Sequence, residues 1–160
     1  MSHSLSTIRP AAKCDLPAIL DIEHSCRTVT WSAAAFSSEL TADNAVNLVA
    51  QSENGTACGF VFAVLAADEL EINTIAVHPD HRRRGVARCL LAAAADAARR
   101  RGAESVHLEV RSKNRVAFDL YVKLGFEIRW IRRKYYSDDG DDAIVMSRDI
   151  DLVLPDTIFE

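Results

Sequence analysis

Residues 72–91 read INTIAVHPDHRRRGVARCLL, an apolar strand followed by an arginine-rich loop and the start of an alanine-rich helix. The first turn of a helix exposes backbone N–H groups without acceptors and carries the positive end of the helix dipole, so it binds anions. The arginines at 82, 83 and 84 add charge that pairs with phosphate oxygens. Gly85 lets the backbone approach a ligand closely. The stretch predicts a phosphate-binding loop, and the absence of a following Gly-Lys-Ser/Thr excludes a P-loop. The alternative is a basic turn that caps a surface helix.

The hydrophobic pattern on both sides of this loop predicts an α+β fold with about seven strands and four helices. Strands are predicted at 6–11, 45–52, 58–66, 70–77, 105–110, 126–135 and 143–149, and helices at 15–25, 32–40, 86–101 and 114–124. Asp15 and Ser32 are expected to cap the first two helices. The Asn-Gly pair at 54–55 predicts a hairpin, so three strands form an antiparallel meander before the loop. The crossover helix after the loop places strands 70–77 and 105–110 side by side in parallel.

Size and composition indicate one globular domain at 1–150, followed by a tail at 151–160. The chain has 160 residues, of which 49% are hydrophobic and 26% are charged. Its net charge of −4 argues against a nucleic-acid partner. Four scattered cysteines, no signal-like N-terminal pattern and no bilayer-length apolar run predict a cytoplasmic protein without a membrane segment. His78, His81 and His107 lack ligand spacing, so no metal is expected.

Three motifs together resemble one enzyme family. The run Arg82-Arg83-Arg84-Gly85-Val86-Ala87 resembles the Gln/Arg-x-x-Gly-x-Gly/Ala loop of the GNAT N-acetyltransferases, and residues 114–126, NRVAFDLYVKLGF, match that family's Asn-x-x-Ala…Tyr-x-x-Leu-Gly-Phe pattern. The stretches LEVR at 108–111, IRRKYY at 131–136 and DGDDAIVM at 139–146, with Trp31-Ser32, are similar to the RimI-type branch that acetylates the N-terminal alanine of ribosomal proteins. The resemblance covers the chain from about residue 15 to residue 150.

This resemblance implies a GNAT fold, with a mixed, mostly antiparallel sheet that splays between its fourth and fifth strands. It implies direct transfer from acetyl-CoA to an amine in a ternary complex, with Glu109 as general base and Tyr121 as general acid toward the leaving thiolate. The implied cofactor-binding residues are Ile75, Ala76, Val77, Arg82, Arg83, Arg84, Gly85, Val86, Ala87, Arg88 and Asn114. The implied contacts to a peptide substrate are Trp31, Tyr135 and Tyr136.

Several of these residues also have a structural alternative. Glu109 can be an exposed strand glutamate paired with an arginine, Asn114 can serve as a helix N-cap, Tyr121 as a core aromatic, Trp31 as a packed indole, and the two C-terminal tyrosines as ordinary strand aromatics. Glu71 on the preceding strand is the rival base. Two positions depart from the family pattern: Ala87 replaces the commoner second glycine, and Thr30 stands where the branch often has proline.

The acceptor stays open at this point. A peptide α-amine, with a pKa of about 8, is easier to deprotonate than a lysine ammonium with a pKa of about 10.4. That difference favours a protein N-terminus as the acceptor. The resemblance to the RimI-type branch implies that the protein is a ribosomal one. The alternatives are acetylation of lysine or of a small amine, and a non-catalytic acetyl-CoA sensor. Oligomeric state and the identity of the substrate are not determined by the sequence.

Overall fold

The structure, a computed structural model, describes residues 5–26 and 31–151. Its strands are β1 (Leu5–Pro10), β2 (Ala45–Ser52), β3 (Ala57–Ala66), β4 (Glu69–Val77), β5 (Ser105–Arg111), β6 (Glu127–Arg132) and β7 (Ala143–Asp149). Its helices are α1 (Leu16–Ser25), α2 (Ala33–Glu39), α3 (Val86–Arg99) and α4 (Arg115–Lys123). The predicted α+β class is therefore confirmed. Thr30 and most of the predicted tail, at 152–160, lie outside the described residues.

The seven strands form one sheet in the order β1-β2-β3-β4-β5-β7-β6. Only β4 and β5 run parallel, and their pairing covers Glu69–Ile72 against Ser105–Leu108. Beyond that point β4 continues along β3 alone, while β5 continues along β7 alone. The sheet is therefore splayed between its fourth and fifth strands, as the resemblance implies.

The helices cover the sheet on both faces and create two cores. On one face α3 and α4 pack on alternate strand residues, among them Leu70, Val106 and Leu108. On the other face α1 and α2 enclose a smaller core built around Phe36, Phe60 and Phe62. Residues 109 and 111 of β5 point away from the α3–α4 core, because Leu108 and Val110 point into it.

The sequence-based prediction at Asp15 was wrong in its detail. Its side chain makes no N-cap hydrogen bond to α1, although α1 does begin at the next residue. The carboxylate instead accepts two hydrogen bonds from Arg9, at 2.7 and 2.8 Å, and a third from the Ala12 backbone N–H at 2.8 Å. The charged donor on β1 outcompetes the helix N–H groups because a bidentate guanidinium–carboxylate pair is the stronger bond.

The sixth strand is also shorter than predicted, since it ends at Arg132 and leaves Tyr135 and Tyr136 in the loop before β7. Lys134 there adopts a positive φ of 48°, and its N–H donates to the Asp142 carboxylate at 2.8 Å. Side-chain carboxylates thus take backbone donors that a longer strand would have placed in the ladder.

Candidate active site

The loop between β4 and α3 offers a row of backbone donors. Gly85 has φ of 77° and Arg83 has φ of 62°, both left-handed, and no side chain caps α3. Within the described chain, no backbone N–H from Arg83 to Arg88 donates to another group. Successive free N–H groups in such a turn, at the start of a helix, form an anion-binding concavity. Val86 is buried, which fixes the first turn of the helix against the sheet, whereas Ala87 and Arg88 are half-buried.

The three loop arginines are placed differently from one another. Arg82 turns back to the sheet, where its Nε donates to the Val77 carbonyl at 3.3 Å and its Nη2 lies 3.3 Å from the Cys26 Sγ. Arg83 and Arg84 are exposed and form no ion pair with any residue in the described ranges. These two arginines are therefore available to an anionic ligand, while Arg82 holds the loop in place.

The open edge of β4 presents alternate backbone groups to the gap beside β5. His78 N–H donates to the Cys58 carbonyl in the β3 ladder, and antiparallel alternation places the Ala76 N–H in that ladder as well. The N–H groups of Ile75 and Val77 then point into this gap between β4 and β5, which forms an opening in the sheet. Of the three residues expected on this edge, these two can contact a ligand through the backbone, and Ala76 faces the aromatic core.

Gly59 on β3 is a residue that the sequence reasoning missed. A Cβ at this position would lie 3.1 Å from the Ala76 carbonyl oxygen and 3.2 Å from side-chain carbons of Val86 and Leu90. The absence of a side chain thus allows the first turns of α3 to sit close to the sheet, next to the end of β4. A glycine inside an apolar strand is the sequence signal for such a close approach.

Glu109 lies on the sheet face opposite α3 and α4, at the level where β4 and β5 have separated. Its Oε1 lies 3.1 Å from the Nε of Arg132 on β6, and its side chain is 28% exposed. β7 lies between these strands, and Arg132 crosses it at Ala143, where the side chain is a single methyl group. Glu109 thus makes the arginine pair that its structural alternative describes, although the sequence did not identify Arg132 as the partner.

The two C-terminal tyrosines lie on the same side as Glu109. The Arg111 guanidinium lies 3.8 Å from the centre of the Tyr136 ring, and the rings of Tyr135 and Tyr136 are 5.2 Å apart. Burial raises the pKa of Tyr136, and the negative charge of Glu109 raises it further by a smaller amount. Tyr135 is half exposed. The structure thus brings these tyrosines and Glu109 together.

The acidic loop before β7 is held by several polar contacts. Arg111 bridges to Asp138 at 3.0 Å and to Asp139 at 3.1 Å. Asp141 is buried and accepts hydrogen bonds from the Ser112 hydroxyl and the Lys113 N–H, and the Ser112 bond lowers the pKa of Asp141. These contacts attach the tyrosine-bearing loop to the end of β5.

Tyr121 is placed in the α3–α4 core, on the opposite face of β5 from Glu109. It is buried, packs its ring 5.8 Å from that of Phe126, and has its pKa raised to about 12 by burial. Its phenol is therefore protonated at neutral pH. Because β5 has no β4 neighbour beyond Leu108, the edge of β5 is open there, between the face that carries Glu109 and the face that carries Tyr121.

Asn114 and Trp31, like Tyr121 and Glu109, occupy the positions that their structural alternatives describe. The Asn114 Oδ1 accepts a hydrogen bond from Ala117 N–H at 3.2 Å and so caps α4, which leaves its amide NH₂ group for other contacts. Trp31 packs its ring 5.2 Å from Phe36 and 6.0 Å from Phe62. The rival carboxylate, Glu71, is exposed on the same face of the sheet as Glu109.

Within residues 5–26 and 31–151, no group of three or more histidine, cysteine or acidic side chains is arranged to hold a metal ion. Over the same residues, no helix is long and apolar enough to cross a bilayer.

Comparison with known proteins identifies the family. The model of the acetyltransferase (GNAT) family matches residues 16–126. This chain belongs to the GNAT acetyltransferase family. It is 35% identical over 150 residues to the [ribosomal protein bS18]-alanine N-acetyltransferase of Escherichia coli (strain K12), a match that covers 92% of this chain and 100% of that protein.

Solved structures of the family agree with this assignment. The crystal structure of the ribosomal-protein-S18-alanine N-acetyltransferase from Escherichia coli superposes with a TM-score of 0.82 at 36% identity, covering 94% of this chain and 97% of that one. The yncA protein from Salmonella typhimurium, solved with its cofactor acetyl-CoA, superposes with a TM-score of 0.77 at 26% identity, covering 94% and 98%.

The residues around the opening fit the cofactor of this family. The free N–H groups at 83–88 and the exposed, unpaired charges of Arg83 and Arg84 suit a diphosphate. The outward N–H groups of Ile75 and Val77 suit an extended amide-containing arm.

Proposed function

We propose that this protein transfers the acetyl group of acetyl-CoA to the N-terminal α-amine of a protein, of the ribosomal-protein alanine type. The observation that carries the proposal is the grouping of Glu109, Tyr135 and Tyr136 on one face, beside the opening whose far end is lined by the free N–H groups of α3. The similarity to the alanine N-acetyltransferase of Escherichia coli over 92% of the chain supports the choice of acceptor. A cytoplasmic location is part of the proposal, because ribosomal proteins are synthesised there.

In this proposal the N–H groups from Arg83 to Arg88, with Arg83 and Arg84, bind the diphosphate. Ile75 and Val77 bind the arm through their N–H groups, and Asn114 contributes its free amide NH₂. Acetyl-CoA supplies an activated thioester when bound. Arg82 and Gly59 act indirectly, since the first holds the loop through Val77 and the second lets α3 approach the sheet.

Proton transfer is assigned to residues on the two faces of β5. Glu109 accepts the proton of the attacking amine, and Tyr121 donates its phenolic proton to the leaving sulfur. Burial keeps Tyr121 protonated, because the raised pKa lies far above neutral pH. Glu71 is retained as the competing base, since it is exposed on the same face as Glu109.

The peptide is proposed to lie along the face formed by Tyr135, Tyr136 and the exposed Trp130, and Trp31 supports this face from the aromatic core. Aromatic walls bind extended peptide through apolar contact while leaving the backbone polar groups free. Acetylation of a lysine side chain would use the same base, acid and aromatic face, and it is the competing function. No separate observation favours a small amine.

The test is mass spectrometry of a peptide-terminus library after incubation with enzyme and isotopically labelled acetyl-CoA. Acetylation is expected at the α-amine of peptides that begin with alanine. Gly85→Asp places a side chain and a negative charge at the proposed diphosphate site, and it should abolish acetyl-CoA binding in calorimetry. Gly140→Asp is the matched control, because Gly140 shares the positive φ of Gly85 and a Cβ added at Gly140 meets no heavy atom within 4 Å. Label on lysine side chains alone would refute the α-amine assignment.

A further inference from the structure

Arg132 faces the proposed base and has no other ion-pair partner among residues 7–26 and 31–151. We propose that Arg132 is a positioning residue that offsets the charge of Glu109 and so makes the site select a neutral α-amine over a lysine ammonium. This inference rests on the proposed function and deepens it by naming the residue that sets acceptor specificity.

The geometry shows how Arg132 is held. Arg132 is paired with Ala143 in the β6–β7 ladder, and Glu109 is paired with the next outward residue of β7, Val145. Residues that pair across strands share one face, so both side chains lie above β7 and meet diagonally. The guanidinium carbon lies 5.5 Å from the Tyr135 ring and 6.0 Å from the Trp130 ring, and Nε lies 3.1 Å from the Glu109 Oε1. Arg132 is therefore held between Glu109 and the aromatic rings of the proposed peptide groove.

The other charged groups near Glu109 have partners of their own. Arg111 on β5 is bridged to two aspartates of the acidic loop, at 3.0 and 3.1 Å. His107 on β5 hydrogen-bonds the Ser105 hydroxyl at 2.8 Å and lies 3.7 Å from Glu69.

Three further titratable groups face the site. Tyr135 and Tyr136 approach it from the loop before β7, and Glu71 adds a second negative charge from β4. Arg132 is therefore the cation whose charge compensates Glu109 directly, within the described part of the chain.

The charge balance of this pair determines which form of the amine binds. A lone carboxylate attracts an ammonium and so favours the form that cannot attack the thioester. A carboxylate neutralised at 3.1 Å by Arg132 gives little preference to the ammonium, and the amine binds in proportion to its neutral fraction in solution. At pH 7 that fraction is about a tenth for an α-amine and below about a thousandth for a lysine side chain. The resulting preference for the α-amine is roughly two hundredfold.

The experiment compares two peptides of the same length and otherwise the same sequence, one with a free N-terminal alanine and no lysine, the other N-terminally blocked and carrying a single lysine. The values of kcat and KM are measured from about pH 6 to about pH 9, a range that brackets the α-amine pKa. Arg132→Gln should lower KM for both peptides, because the bare carboxylate now attracts their ammonium forms. It should also move the midpoint of the kcat profile toward alkaline pH by about half a unit, a modest shift because both side chains are partly exposed.

Matched variants separate a charge effect from a structural one. Arg132→Lys keeps the charge and should restore the wild-type midpoint, whereas Arg132→Met removes the charge but keeps the apolar stem and should reproduce Arg132→Gln. Arg129→Gln is the control: Arg129 is on the same strand and is 46% exposed against 45% for Arg132, but it pairs with Glu127 and Ser147. It should leave both the midpoint and the preference for the α-amine unchanged.

The outcomes are distinguishable. Acetylation of neither peptide by the wild type refutes the proposed function, and the inference falls with it. Wild-type α-amine acetylation combined with an unchanged kcat midpoint and acceptor preference in both charge-removing variants overturns the inference alone. Equal losses in Arg132→Gln and Arg129→Gln without a shift in midpoint assign Arg132 a purely structural role, and this also overturns the inference.

Discussion

Replacing Gly59 by alanine tests whether the close approach of α3 to the sheet prepares the cofactor site. The added Cβ meets the Ala76 carbonyl oxygen at 3.1 Å and carbons of Val86 and Leu90 at 3.2 Å. The two side chains can shift by a few tenths of an ångström, but the carbonyl is fixed in the β3–β4 ladder. The strain is therefore expected to be relieved by moving the start of α3 outward.

The size of the effect follows from two opposing contributions. Overpacking of a well-packed core costs about 1–3 kcal/mol. Replacing glycine by alanine returns about 0.4–1 kcal/mol by restricting the unfolded chain. We expect a net destabilisation of about 1–2 kcal/mol, which for a chain of this size lowers Tm by about 2–8 °C. If about 1 kcal/mol of the strain is released by displacing the helix from its binding position, acetyl-CoA affinity falls about fivefold.

Thermal unfolding and calorimetric titration with acetyl-CoA measure the two quantities separately. Gly55→Ala is the control, because Gly55 has φ of 82° in a hairpin and nothing within 4 Å of an added Cβ. Because the backbone of Gly55 is left-handed, alanine there should lower the free energy of unfolding by about 1 kcal/mol. The Kd for acetyl-CoA should not change. A Gly59→Ala protein with wild-type Tm and Kd would refute the reasoning, and lower stability with unchanged Kd would refute the link to the cofactor site.

Three further predictions concern the proposed acid, the proposed base and the edge of the fold. Tyr121→Phe should lower kcat about 10²- to 10⁴-fold with little change in acetyl-CoA Kd, because the ring is retained in the core and only the proton donor is lost; equal losses in both would contradict the acid role. Glu109→Gln should abolish activity or shift the pH–rate profile to alkaline pH, while Glu71→Gln should not; the reverse result identifies Glu71 as the base. Asp15→Asn should cost about 1–2 kcal/mol near neutral pH, a value discounted because Arg9 is one-third exposed. Hydrogen bonding from Arg9 lowers the pKa of Asp15 in the folded protein. The wild type therefore has the full stabilisation at pH values above the unfolded-state pKa of about 3.9, and it loses this stabilisation as the pH falls through the folded-state pKa. Denaturant unfolding of the two proteins should therefore converge in strong acid.

Local sequence patterns were sufficient for most of the fold. The β7 bounds and the Ser32 cap, which accepts from Ala35 N–H at 3.1 Å, agree with the prediction because alternation and capping depend on neighbouring residues alone. The strand of residues 126–135 was predicted too long for a different reason. Its end depends on Asp142, a carboxylate eight residues beyond Lys134 that takes the backbone donor.

The candidate site likewise has one part that local sequence predicts and one part that depends on tertiary contacts. The phosphate-binding loop is readable from one contiguous stretch, because Gly85 and the following helix are adjacent in sequence and the free N–H groups belong to that helix start. The role of Gly59 is not readable in that way, since its neighbours Ala76, Val86 and Leu90 arrive from two other elements.

What the sequence by itself determined about this protein is the set of elements, the loop that opens α3, and the family motifs carrying Glu109 and Tyr121. Only the tertiary structure decided that Arg132 lies against Glu109 and that Tyr121 occupies the other face of β5. Alternation assigns each side chain to a face of its own strand, but it does not say which strands are neighbours. Here the last strand inserts between β5 and β6, and this order of strands sets which charges meet.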